Sequence, residues 1–588
     1  MKFRIILVFF FLLPSLLRAQ QWDTHPDTWV ATDDLGREVY NAQSASQLPV
    51  KPSEVGMFYY LWHGKHTQVG RPIFDVTEIL KANPDKPQWG GIEEMHWWGH
   101  PVLGYYEAGD PFVLAKHLQM LADAGVDFLF FDVTNGYLYD DVVEKVMSEI
   151  DRRERLGLRS VKLCFMSYWG GIKMLKTIYN RFYTDRKYDK YWYRYQGRPL
   201  ILADKNVIKK KEDQYLADGF TFRKSWAWMG GKNKDEWAWL ESYPQQPGWS
   251  VAKDVPEQLS VSTAQHATTK IGKSTHKPHG PQLNRYALTD STAYGLYFEE
   301  QWQTAHRIHP PVLMITQFNE WTAMRFVAEK PEQLKEIRPM GKPEIGESFF
   351  VDAYNAEFNR DIEPSTHPQI RDNYYMQFVS NMRKYKGARA VPVQKQACSI
   401  DVKGGFGQWQ GLTYEYRDDK GDILHQNTLG FNHMDTIVNL SGRNDLLMAK
   451  VAHDRQHFYF YVSTTDNISP QAPVGSDAWL TLLLNVKGNG SRWYGYNYIV
   501  KGNGSGQLAL YKNTGGRYLW KRVCNVTFRV EGNQLHLAIP RKYLPADGTI
   551  DFKWTDHVAE QKDLDILRFY VDGDVAPNGR FNYRYVYR

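Results

Sequence analysis

The residues best suited to chemistry are Asn319, Glu320 and Trp321, which follow closely on the apolar run Val-Leu-Met-Ile at 312–315. A short unbroken apolar run is the pattern of a strand buried on both faces in a parallel sheet. In a barrel of parallel strands, catalytic groups stand where the strands end, at the C-terminal face. A carboxylate there, flanked by an amide and an indole, suits a polar ring with apolar faces, which is a sugar. Glycosidic bonds are commonly broken by two carboxyl groups, one protonated and one ionised. Glu320 is therefore the expected acid/base. Asp132 is the second candidate, because it too closes an apolar run (VDFLFFD, 126–132). The competing account of Asp132 is a turn former bonded to the backbone of Thr134 or Asn135.

Substrate contacts are expected from residues near these strand ends. Tyr60 and Trp62 close the run 55–62, and because successive side chains of a strand point to opposite faces, only one of Tyr59 and Tyr60 faces the site. An aromatic-rich connection, 64–109, follows. Connections of that length inside a domain are usually functional, and Glu94, His96 and Trp98 are its candidates. Trp228, Asn319 and Trp321 complete the set. For each indole a place in the core competes with a sugar platform. His96 and His100 stand four apart, but Trp97-Trp98-Gly99 and Pro101 argue against the helix that a metal pair would need. No metal ligand set and no cofactor motif is assigned.

The elements that position these residues alternate. Strands are expected at 55–62, 126–132, 161–168, 199–203, 219–228, 259–262 and 312–315. Helices are expected from Asp110-Pro111, at 139–156, 173–183, 297–308 and 368–385. Asp110 supplies a capping carboxylate and Pro111 the favoured first helical residue. This alternation implies an α/β fold with a parallel sheet, most economically a (β/α)8 TIM-like barrel over 20–387. A linker at 388–397 follows. Beyond it, period-two alternation and Gly-rich turns predict an all-β sandwich over 398–588.

The stretch Phe318-Asn319-Glu320-Trp321, the strand end at Tyr59-Tyr60 and the segment FVDAYNAEFNRDIEP at 350–364 together resemble glycoside hydrolase family 99 and 71-like barrels. That family includes endo-acting α-mannosidases. The resemblance spans about residues 55–386 and implies a barrel enzyme of glycan breakdown. It carries over Glu320 but not its partner: three residues on, where the family has a second glutamate, this chain has Ala323. Residues 399–588, with FYVDGD at 569–574 and GRFNYRY at 579–585, resemble family 9-type carbohydrate-binding modules and related sandwiches.

Composition bounds the rest. At 588 residues the chain is too long for one ordinary domain. Aromatic residues make up 15% of it, high for a mean hydropathy of −0.54, as expected of a protein lined for carbohydrate. Residues 1–19 read as a secretory signal, with an apolar stretch too short to span a bilayer and no Cys to take a lipid anchor. A periplasmic or secreted location is expected. Removing the signal takes away Lys2, Arg4 and Arg18 and lowers the formal charge from +6 to +3, too weak a bias for a nucleic-acid binder. Three well-separated cysteines exclude a disulfide framework and a Cys-based zinc site. The chain is thus read as an exported, monomeric glycoside hydrolase acting on an oligo- or polysaccharide. Its rivals are a non-catalytic glycan-binding protein on a degenerate barrel and a polysaccharide lyase.

Overall fold

Eight parallel strands form the first sheet of the computed structural model: Glu54–Tyr59, Phe128–Asp132, Lys162–Met166, Arg198–Leu202, Thr221–Trp226, Glu236–Ala238, Gln258–Ser262 and Val312–Thr316. The structure describes residues 22–42, 52–67, 69–265, 290–327, 329–330, 345–346, 348–350, 352, 355–412, 414–470, 478–488, 490–503, 506–558 and 564–588. The expected signal segment lies outside them. The first strand pairs with both the second and the eighth, and the eighth with the seventh, so the sheet curls into a barrel. Its seam lies between Glu236–Ala238 and Gln258–Ser262. Backbone bridges from Gly248 and Trp249 cross it, and the Gln258 side-chain amide donates to Ala238 O at 2.9 Å.

The three-residue strand Glu236–Ala238 is the one barrel strand absent from the expected set. Glu-Trp-Ala has no apolar run, and its strand geometry comes from pairing with Lys224–Trp226. The other seven overlap the expected strands. Alternation along each strand sorts the core. Phe58, Tyr60, Phe128, Phe130, Met166, Leu202 and Met314 fill the barrel interior, whereas Val55, Met57, Tyr59, Leu129, Phe131 and Ile315 pack outward. Gly56 sits inside this crowd: a Cβ there would lie 2.4 Å from the Phe128 ring.

The outer layer includes the helices Pro111–Asp123, Asp140–Arg155, Gly171–Ile178, Gln214–Gly219, Leu296–Ile308 and Asn373–Lys386. Asp110 caps the first by accepting from Phe112 N–H at 2.9 Å. The last begins five residues later than the periodicity suggests, after the turns that follow Pro368. The long connection 64–109 is not structureless. It contains the helix Val76–Ala82 and the strand Met95–Trp97. That strand pairs antiparallel with Thr322–Val327, which pairs in turn with Ser348–Phe350. The chain leaving the first and eighth barrel strands thus folds into a small sheet at the C-terminal face.

The C-terminal part is a mostly antiparallel sheet folded into two layers. Its long strand Trp520–Glu531 runs through both layers. Residues up to Val526 pair with Leu508–Asn513, and Thr527–Glu531 pair with Gln534–Pro540. One strand changing layers is how sandwiches turn corners. Phe552 meets Phe460 at 5.7 Å and Tyr416 at 4.9 Å across the interior. Within the expected linker, Val393–Gln394 joins this sheet beside Tyr583–Tyr587. The sandwich docks on the barrel through polar ties: Gln426 to Asp110 at 2.6 Å, Arg371 to Asp565 at 2.7 Å and Arg580 to Asp372 at 2.9 Å. Among the described residues, no helix is long and apolar enough to cross a membrane.

Candidate active site

The backbone carrying Glu320 is laced from three sides. Phe318 N–H donates to Phe58 O, which extends the pairing of the eighth strand with the first. The Asn319 side chain spans Tyr60 completely, accepting from its N–H at 2.9 Å and donating to its carbonyl at 3.2 Å. Asp361 Oδ1 accepts from Glu320 N–H at 2.5 Å and from the Gln317 amide at 3.2 Å. Behind this stands Glu363, wholly buried. Its Oε2 accepts from Trp321 Nε1–H at 2.6 Å and Tyr106 O–H at 2.8 Å, and its Oε1 lies 3.0 Å from His117 Nε2. The Tyr59 hydroxyl, facing outward, reaches His117 Nδ1 at 2.8 Å. His63 Nε2 lies 2.9 Å from Asn319 O. Burial pushes the His63 pKa down to about 3, so its ring is neutral and Nε2 carries the proton it donates.

Glu320 itself is 7% exposed and lies among other charges. Arg360 Nη2 is 3.4 Å from Glu320 Oε2 and 3.5 Å from Asp352 Oδ1. The guanidinium is wholly buried, and its Nε and Nη1 have no hydrogen-bond partner. It lies 5.9 Å from the Trp239 ring centroid. Burial, reinforced by the nearby Asp352 carboxylate and weakly by Asp132, holds Glu320 well above the usual glutamate range, against the pull of Arg360. Burial raises Asp361 to about 7. Asp132 rises only to about 6, because hydrogen bonds from Thr134 partly offset its burial. Of the two, Glu320 is therefore the carboxyl that holds its proton to higher pH, and Asp132 the one that gives it up first, through about 6. Two carboxyl groups pushed apart by their surroundings are what separates an acid from a base at one pH.

The inward ring of the Tyr59–Tyr60 pair is Tyr60, buried in the barrel interior, its hydroxyl raised above the usual tyrosine range chiefly by burial. Trp62 is half-buried at the rim, donating from Nε1–H to Asp132 O at 3.0 Å. Trp228, also half-buried, donates to Gln265 Oε1 at 2.9 Å. The other expected contacts are support, not surface. Trp321 and Trp98 are sealed against each other, at 0% and 1% exposure. His96 is fully buried, its Nε2 accepting from Gly90 N–H at 3.1 Å while its ring stacks on Phe74. Glu94 pairs with Arg71 and accepts from Gly91 N–H at 2.7 Å, closing its own turn. Asn319 spends its amide on Tyr60. Asp132 makes the turn bond expected of it, accepting from Thr134 N–H at 3.0 Å, and its charge acts on Glu320.

Three residues of the site carry no strand-end signal: Asp352, Arg360 and Asp361. They lie in the segment 350–364, whose sequence is unlike any regular element. The exposed aromatic rim also lies partly outside the expected set. Tyr168 stacks on Trp226 at 3.9 Å, beside Trp169, which is 64% exposed. Both follow the strand Lys162–Met166, and Trp169 N–H is bonded to Thr134 O, next to Asp132. Tyr137, after the Asp132 strand, is 66% exposed. Their signal is position: each stands just beyond or at the end of a barrel strand.

No family model and no curated protein matches this chain. Among solved structures, that of the GH99 endo-alpha-mannosidase from Bacteroides thetaiotaomicron is similar at 15% identity and a TM-score of 0.30, covering 57% of this chain and 99% of that one. A second structure of the same enzyme, in complex with BIS-TRIS-Propane, gives the same values.

Proposed function

We propose that this chain is a glycoside hydrolase, with Glu320 as acid/base and Asp132 as the partner carboxylate. The observation that supports it is the placement of two buried carboxyls at the C-terminal ends of barrel strands, Asp132 at the end of Phe128–Asp132 and Glu320 just after Val312–Thr316, with Glu320 raised further than Asp132. In this reading Glu320 protonates the leaving glycosidic oxygen. Asp132 stabilises or attacks the positively charged anomeric carbon, or activates water against it. Arg360 and Asp352 tune Glu320, since a guanidinium and a carboxylate act on it in opposite directions. Tyr168, Trp169 and Trp226 offer flat faces for the sugar rings on either side of the cleaved bond. The substrate is an oligo- or polysaccharide met after export on the leader 1–19.

The test is reducing-end release from a panel of α- and β-linked polysaccharides. Wild type releases new ends from at least one. Glu320→Gln and Asp132→Asn each lose about 10²- to 10⁴-fold in kcat while remaining folded by circular dichroism. Wild-type turnover in Glu320→Gln overturns the assignment. Binding of a glycan by wild type, with no new ends from pH 4 to 9, replaces it with a glycan-binding protein. Products absorbing in the ultraviolet replace it with a lyase.

A further inference from the structure

At the junction of barrel and sandwich lies a buried group of carboxylates that glycan chemistry does not use. Asp422 lies in the loop after Tyr416–Arg417, Asp445 immediately precedes the strand Leu446–His453, and Asp574 opens the strand Asp574–Ala576. One carboxylate oxygen from each lies within 4.8 Å of the others, and none of the three is more than 7% exposed. The surrounding hydrogen bonds hold these groups without saturating them. Asp445 accepts from Gly421 N–H at 3.0 Å and Thr465 Oγ1–H at 2.5 Å, and Asp574 accepts from Leu446 N–H at 2.5 Å. Asp422 accepts from the Gln119 amide at 2.7 Å through one oxygen, and its Oδ1 is buried with no partner.

A fourth buried carboxyl lies near them. Asp418 is fully buried, and neither of its carboxylate oxygens has a hydrogen-bond partner. After burial, the charges acting on it most strongly are those of Asp574 and then Asp422, which places it near the same group. A buried carboxyl without donors is either neutralised by a proton or met by a cation, and a bound cation selects the ionised form. The nearby cations fall short. Arg153 is engaged by Asp419 at 3.0 Å. Lys553, buried, donates to Pro577 O and reaches the group only through its field, as does Lys116 from the barrel helix.

We propose that Asp422, Asp445 and Asp574, with the unpartnered Asp418 buried near them, hold one calcium ion that fastens the sandwich to the barrel. Ligand atoms on opposite sides of a calcium ion stand at most about 4.8 Å apart, twice a calcium–oxygen bond of about 2.4 Å. An all-oxygen, carboxylate-rich set selects a hard cation over zinc or copper. Gln119, on the helix Pro111–Asp123, links Asp422 to the barrel, so the ion would bear on the docking of the two parts. This inference stands independently of the hydrolase reading.

The experiment uses the full chain, stripped with EDTA and desalted, then titrated with calcium chloride by calorimetry and thermal melting. The expected result is uptake of one calcium per chain and a Tm raised by at least about 3 °C at millimolar calcium. The double variant Asp422→Asn/Asp574→Asn is expected to show neither. If that variant does not fold, the wild-type titration decides alone. A stripped wild type that takes up no calcium and melts at one temperature with or without it overturns the proposal. An equal shift with magnesium overturns the choice of calcium.

Discussion

Removing the Glu363 carboxyl tests whether the buried belt behind Glu320 holds the site in place. Glu363→Ala leaves Trp321 Nε1–H, Tyr106 O–H and His117 Nε2 without their acceptor, in surroundings that exclude water. Each stranded donor costs about 1–3 kcal/mol, and the lost volume adds a cavity term. The total is at least about 3 kcal/mol, which at about 2 °C per kcal/mol for a large domain lowers Tm by at least about 6 °C. Glu363→Gln has a different outcome. Its oxygen can serve Trp321 and Tyr106 while its amide donates to His117 Nε2, if the ring shifts its proton to Nδ1 and donates to Tyr59 O. Most of the loss in Tm is then recovered. Thermal melting and steady-state kinetics of both variants read this out, with kcat falling in Glu363→Ala because Trp321 no longer anchors the residue beside Glu320. A Tm for Glu363→Ala within 1 °C of wild type, or a glutamine variant as damaged as the alanine one, refutes the reasoning.

The carboxyl pair sets a pH dependence. Activity should fall on the acid side as Asp132 protonates through about 6, and Asp132→Asn should remove that limb from whatever rate remains. The same group affects stability. Folding raises the Asp132 pKa from 3.8 to about 6, so the folded state binds its proton more tightly, and this contribution is present below pH 4 and lost as pH rises through 6. At pH 7.5 Asp132→Asn should therefore stabilise the fold by up to about 3 kcal/mol, the asparagine oxygen still accepting from Thr134. A variant less stable than wild type at pH 7.5, by denaturant titration, counts against this. Trp169→Ala should leave Tm unchanged, since the ring is 64% exposed, and raise KM several-fold for the loss of about 1 kcal/mol of ring stacking. An unchanged KM removes Trp169 from the glycan path. Gly56→Ala drives a methyl into the Phe128 ring and should cost about 1–3 kcal/mol, read as a lowered Tm.

Much of the architecture can be read from the chain because it is written locally. Apolar runs such as 126–132 and 312–315 are short enough and bounded closely enough to read as central strands, and Asp110-Pro111 ahead of an amphipathic period marks a helix start. The ends of those strands locate Glu320 and Asp132 without any knowledge of contacts. Glu236–Ala238 escapes this logic because three residues carry no period, and only pairing with a neighbour makes them a strand. Tertiary structure alone decides which indoles face solvent. Trp98 and Trp169 are both followed by glycine in an aromatic stretch, yet Trp98 is buried beside the sheet built from 95–97 and 322–327, and Trp169 stays open. It likewise decides what surrounds Glu320. Arg360, Asp352 and Asp361 arrive on an irregular segment, and the protonation of a carboxyl depends on burial and on charges a few ångströms away, neither of which is encoded by its neighbours in sequence.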